Sequence, residues 1–175
     1  MFSSGTKYPL IRCSSILPSF LRFCVVFPCE VALAYLFLRT EKAQNRALYR
    51  GLVKLHRAYT EMAERVVNTH HLTRDSFLNM YKNVFGRALS AATVAKIKDA
   101  EKIRDRVIHG KDVSDRDLRK ALVDVIDYAE ALNIEVRQIG GFEPFGHLRG
   151  FKGRAKPLDE STTRWLLKGM GFVIT

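Results

Sequence analysis

Near the middle of the chain, the run Arg104-Asp105-Arg106-Val107-Ile108-His109 gathers the side chains best suited to handling a phosphate. A guanidinium presents a planar fork of donors to anionic oxygens. An imidazole can give or take a proton near neutral pH. At about 100° per residue, Ile97, Val107 and Ile108 fall within roughly 60° of Arg104 on a helical wheel. Arg104 is therefore expected in the middle of an apolar face, where a charge is costly unless paired. A polar interface, an active-site floor and a plain buried ion pair all meet that condition. His109 lies roughly 140° further round and is followed by Gly110. A helix ending at this glycine leaves the imidazole at a rim, free for acid–base work or acting only as a helix-end cation.

The elements that must carry these residues are helical from about Val31. Leu33, Leu36, Phe37, Leu48, Leu52, Leu55, Tyr59, Met62 and Val66 recur at three- and four-residue spacings, which predicts one long first helix ending near His70-His71. Its basic residues Arg46, Arg50, Lys54 and Arg57 read as a solvated face. Thr73 is placed to cap a second helix with the face Phe77, Met80, Tyr81 and Val84, stopped at Gly86. A third helix starts around Ser90 and carries the Arg104–His109 run. Ser114 and Asp117 resemble a capping box that opens a fourth helix bearing Leu118, Leu122, Val125, Ile126, Ala129 and Leu132. Short links between helices that each have one apolar face predict an all-α, antiparallel four-to-five-helix bundle.

Beyond Asn133 the composition changes. Glycines and phenylalanines alternate from Gly140 to Lys156, with Arg149, Lys152 and Arg154 among them. Aromatic faces stack on unpaired bases and cations meet phosphates; equally, Phe142, Phe145 and Phe151 can pack on the bundle as an ordered arm. Asp159 or Ser161 then caps a short last helix through Trp165, stopped by Gly169. The division expected is an irregular apolar leader over residues 1–30, a bundle over 31–133, and a basic arm with a terminal helix over 134–175.

Composition narrows the partners. The formal net charge of the 175 residues is +11, a field that concentrates polyanions such as nucleic acid. The three cysteines, Cys13, Cys24 and Cys29, lack CxxC spacing, and histidines and carboxylates form no close ligand cluster, so neither a metal nor a disulfide framework is expected. The apolar stretch from Ile16 to Leu38 carries Arg22, Glu30 and two prolines, which argues against a membrane span. A signal peptide ending at Ala32-Leu33-Ala34 is opposed by Glu30, and a cytoplasmic protein is expected.

The run R-D-R-V-I-H resembles the R-[N/D/H]-x-x-x-H motif of HEPN domains, and the resemblance spans roughly residues 31–133. It implies a helical bundle that forms a homodimer with the two motifs facing each other. It also implies a metal-independent endoribonuclease without cofactor, of the kind found among toxins and anti-phage defences, with an antitoxin protein as a further partner. In that pattern Arg104 takes the phosphate, His109 does acid–base work and Asp105 positions the arginine or the substrate. Arg106, Lys111, Arg149, Lys152 and Arg154 are the expected RNA contacts. Asp105 stands where many members carry Asn, which adds a negative charge beside the phosphate site. A non-catalytic module of the same fold, binding RNA, nucleotide or protein, is the alternative.

Overall fold

A computed structural model of the protein describes residues 28–70, 72–146 and 156–174. These residues form six helices packed as a bundle: α1 Cys29–His56, α2 Thr60–Thr69, α3 Arg74–Phe85, α4 Ala91–Ile108, α5 Asp115–Gly140 and α6 Glu160–Gly169. Among the described residues there is no strand. The all-α bundle expected from the helical periodicity is present, with more helices than anticipated because the long first helix is broken.

That break falls at residues 57–59. Arg57 takes φ +58°, the left-handed region that side chains with a Cβ rarely adopt. Its backbone carbonyl accepts from the amide of Leu158 at 2.8 Å. Its guanidinium donates through Nε and Nη2 to the carbonyl of Lys156, at 2.8 and 2.5 Å. Contacts from about a hundred residues downstream thus stabilise a turn that the local apolar spacing does not announce.

The other boundaries follow local chemistry. The Thr73, Ser90, Ser114 and Asp159 side chains each accept from a backbone amide in the first turn of the helix they open, the arrangement that satisfies orphan helix donors. Glu135 of α5 reinforces one of them, accepting from the Ser90 amide and from the Ser90 and Thr93 hydroxyls. This fixes the start of α4 against α5.

The core lies between α1 and the α4–α5 hairpin and continues onto α3. Leu33, Leu48 and Leu52 of α1 meet Phe77, Tyr81 and Val84 of α3 and Leu118, Val125 and Leu132 of α5, all buried in one cluster. A glycine permits the α1–α3 approach. A Cβ at Gly51 would stand 2.5 Å from Val84 Cγ1 and 3.0 Å from Phe85 Cζ. Helix α6 packs on α2, and Leu167, Met170 and Phe172 enter the same core. Helix α5 continues past Asn133 to Gly140. Asn133 itself is buried, and its Oδ1 accepts from the amide of Phe145 at 3.1 Å.

Candidate nucleic-acid site

Helix α4 delivers the Arg104–His109 run and a Schellman turn ends it. The amide of Lys111 donates to the carbonyl of Arg106 at 2.9 Å, and that of Gly110 to Val107 at 3.0 Å. Gly110 has φ +65°, the left-handed step such a turn requires. His109 is therefore the residue that caps α4 just beyond Ile108, its amide bonded to the carbonyl of Asp105 at 3.1 Å, and its side chain is exposed. Arg106 closes the turn by donating through Nη2 to the carbonyl of Asp112.

Arg104 lies in line with the buried face of α4, with Thr93, Ile97 and Ala100 within roughly 40° of it, but close to the helix end. Ile97 is buried and Val107 half-buried, but Ile108 is 64 % exposed. The Arg104 side chain keeps 26 % of its surface exposed, with its guanidinium carbon 4.5 Å from the centre of the Phe37 ring of α1. Its Nε and Nη2 both donate to Oδ1 of the neighbouring Asp105, at 3.1 and 2.8 Å. The charge is thus stacked on an aromatic face and paired at the surface.

Two further residues complete the surroundings. Arg74, at the start of α3, donates through Nη1 to Oε2 of Glu101 at 2.5 Å, one helical turn before Arg104. Burial raises the Glu101 carboxyl above its ordinary range, against the opposing pull of Arg74 and Arg104, and Asp105 adds to the rise. Two cations and two carboxylates therefore alternate along this edge. Glu101 was legible as a neighbour three residues before Arg104 on the same helix. Arg74 and Phe37 arrive from other helices and carry no local signal.

Of the expected RNA contacts, Arg106 and Lys111 lie at the helix end with His109, Arg106 engaged with the Asp112 carbonyl and Lys111 exposed. Arg149, Lys152 and Arg154 lie outside the described residues, as does Phe151. The other two phenylalanines of the arm pack on the bundle: Phe142 is buried and Phe145 lies against the core.

The basic face of α1 is corrected at Arg50, whereas Lys54 and Arg57 are exposed as expected. Arg50 is only 2 % exposed; its Nη1 donates to the carbonyl of Glu143 at 3.1 Å, and its guanidinium carbon lies 5.6 Å from the Phe142 ring centre. Burial lowers its pKa, as does the neighbouring Arg46. Lys54 donates to the carbonyl of Gly141 at 3.1 Å. Both cations bind the end of α5 and the turn beyond it, Arg50 from a buried position and Lys54 from an exposed one.

The His70 ring lies 3.2 Å from the Ser76 hydroxyl, and it meets Phe172 edge-on; both contacts suit a structural residue. Among the described residues no group of histidine, cysteine and carboxylate side chains could hold a metal ion, and no helix is long and apolar enough to cross a membrane. No protein-family model, no curated protein and no solved structure matches this chain.

Proposed function

We propose that this protein acts on RNA through the α4 terminus, as a HEPN-type endoribonuclease that needs no metal. The observation that carries the reading is the placement of Arg104 and His109. One helix end presents an exposed imidazole and, about one turn earlier, a guanidinium seated on Phe37 with part of its surface open. In the reaction the 2′-hydroxyl of RNA loses a proton and its oxygen bonds to the adjacent phosphorus. The bond from phosphorus to the 5′-oxygen breaks, and that oxygen takes up a proton. His109 serves one of these transfers and His109 of a second copy the other. Arg104 binds the non-bridging oxygens as negative charge grows on them. The products are a 2′,3′-cyclic phosphate and a 5′-hydroxyl. A toxin or defence role, with a neutralising protein partner, fits such an activity.

The test is cleavage of a mixed single-stranded RNA in excess EDTA by the wild type, His109→Ala and Arg104→Ala. Cyclic-phosphate ends from the wild type, with both variants folded and inactive, are expected. Wild-type protein that binds RNA without cutting it overturns the enzymatic reading. A particle that stays monomeric at micromolar concentration overturns the shared site.

A second reading is favoured by one specific contact. Asp105 already occupies two donors of the Arg104 fork, as suits a module of this fold that holds RNA, nucleotide or protein without catalysis.

A further inference from the structure

The chain has a single tryptophan, and it is the most exposed of the large apolar side chains described: Trp165 of α6 is 82 % exposed. Indole rings normally bury most of their area or hold a partner. Helix α6 turns Thr163, Leu166, Leu167 and Met170 toward the bundle. At about 100° per residue, Trp165 points directly away from that face. Its neighbours one turn before and after are Ser161, Thr162, Lys168 and Gly169. A Cβ built on Gly169 would meet nothing within 4 Å, so small side chains and open space flank the ring.

Charge and apolar content choose among occupants. The acidic residues of the helix, Asp159 and Glu160, lie at its start, where Asp159 is engaged in capping. The cations nearby are Arg164, one residue before the indole, whose Nη2 lies 3.9 Å from Glu160 Oε1, and Lys168, one turn after it. A protein hot spot would sit in a wider apolar patch, and an interfacial membrane helix would carry further apolar side chains beside the ring. Ser161, Thr162, Lys168 and Gly169 supply neither; Val173 is exposed too, but only after the chain has turned at Gly171 (φ +90°). An isolated aromatic face with flanking cations on a chain of net charge +11 matches the way unpaired bases are held, by stacking and phosphate contact, with little regard to sequence.

We infer that Trp165, with Arg164 and Lys168, forms a stacking site for an unpaired base of single-stranded nucleic acid. The indole takes the base on its face, and the two cations contact the phosphates on either side. The site does not depend on His109, and it stands whether or not the protein cleaves RNA.

The single tryptophan makes the test direct, because its emission reports this position alone. The full chain is titrated with oligodeoxythymidylate, which lacks the 2′-hydroxyl and survives any cleavage, while emission and the anisotropy of a labelled oligonucleotide are followed. The expected result is saturable quenching by the single strand and none by a duplex of equal length. Trp165→Ala, folded by circular dichroism, weakens binding roughly 5- to 150-fold. Lys168→Gln lowers the salt slope of log K by about 0.7. His109→Ala leaves the quenching unchanged, which separates this site from the ribonuclease reading. Three outcomes overturn the inference. They are binding with no change in emission and no loss in Trp165→Ala, equal quenching by duplex, and a blue shift on anionic vesicles without oligonucleotide quenching.

Discussion

Replacing Asp105 with Asn separates the two functional readings, and its magnitude can be worked from the structure. Asp105 Oδ1 accepts from both Nε and Nη2 of Arg104, so a phosphate must displace a carboxylate to use that side of the fork. The pair lies at the surface, with side-chain exposures of 26 % for Arg104 and 57 % for Asp105. Exposed pairs of this kind are worth about 0.2–1 kcal/mol after screening. At 1.4 kcal/mol per tenfold, displacement lowers phosphate affinity roughly 1.4- to 5-fold. Asn keeps an oxygen that can accept from the guanidinium and removes the competing charge. Asp105→Asn is therefore expected to bind single-stranded RNA about 1.4- to 5-fold more tightly at low salt. The gain shrinks as salt rises, because the charge being removed is a screened one.

The assay is RNA affinity and EDTA-resistant cleavage, side by side with Arg104→Ala. Cleavage that rises with affinity marks Asp105 as a restraint on an active site. Affinity that rises without cleavage favours the non-catalytic module. If Asp105→Asn falls to the level of Arg104→Ala in affinity, the reasoning is refuted, because Asp105 is then required to hold the arginine in place.

Three further outcomes follow from the packing. Gly51→Ala gains about 1 kcal/mol in helix propensity but forces a methyl group against Val84 and Phe85, an overpacking cost of about 1–3 kcal/mol; urea unfolding should show no gain in stability, and a stabilised variant would mean that α1 and α3 are not in close contact. Gly110→Ala meets no atom within 4 Å, yet its φ of +65° should cost about 1–2 kcal/mol by backbone strain alone, read as a lower midpoint at unchanged m-value. For Glu101 the folded carboxyl binds its proton more tightly than the unfolded one, so its contribution to stability is greatest below the unfolded value of about 4.3 and is lost as pH rises toward the raised folded value. The difference between wild type and Glu101→Gln, measured by urea unfolding across that window, should fall with rising pH; a rise would show that the Arg74 ion pair outweighs burial.

Cap chemistry made most of the fold legible. Thr73, Ser114 with Asp117, Gly86, Gly110 and Asp159 act through backbone groups within one turn of themselves, so their spacing alone locates the helix ends. The break at Arg57 was not legible, because the apolar spacing runs through it from Leu52 to Tyr59, Met62 and Val66. Neither glycine nor proline marks the site, and the groups that hold it are Lys156 and Leu158. The candidate site divides the same way. The Gly110 turn and the helix-end position of His109 follow from local sequence. The Phe37 ring beneath Arg104 and the Arg74–Glu101 pair depend on how α1 and α3 cross α4.

The cations of α1 also change what the net charge means. A charge of +11 acts at long range through its field, and pairing a lysine with a carbonyl leaves that field intact. Specific contact with a phosphate needs free donors as well as charge. Arg50, Lys54 and Arg57 already direct donors at the carbonyls of Glu143, Gly141 and Lys156, so they hold the C-terminal arm to the bundle while adding to the attraction. Arg106 is similarly engaged with Asp112. Neutralising one of these residues should therefore lower stability together with affinity, whereas neutralising Lys111 or Lys168, both exposed, should lower affinity alone. The basic composition brings a polyanion to the protein; where it settles depends on the cations that the fold has left unoccupied.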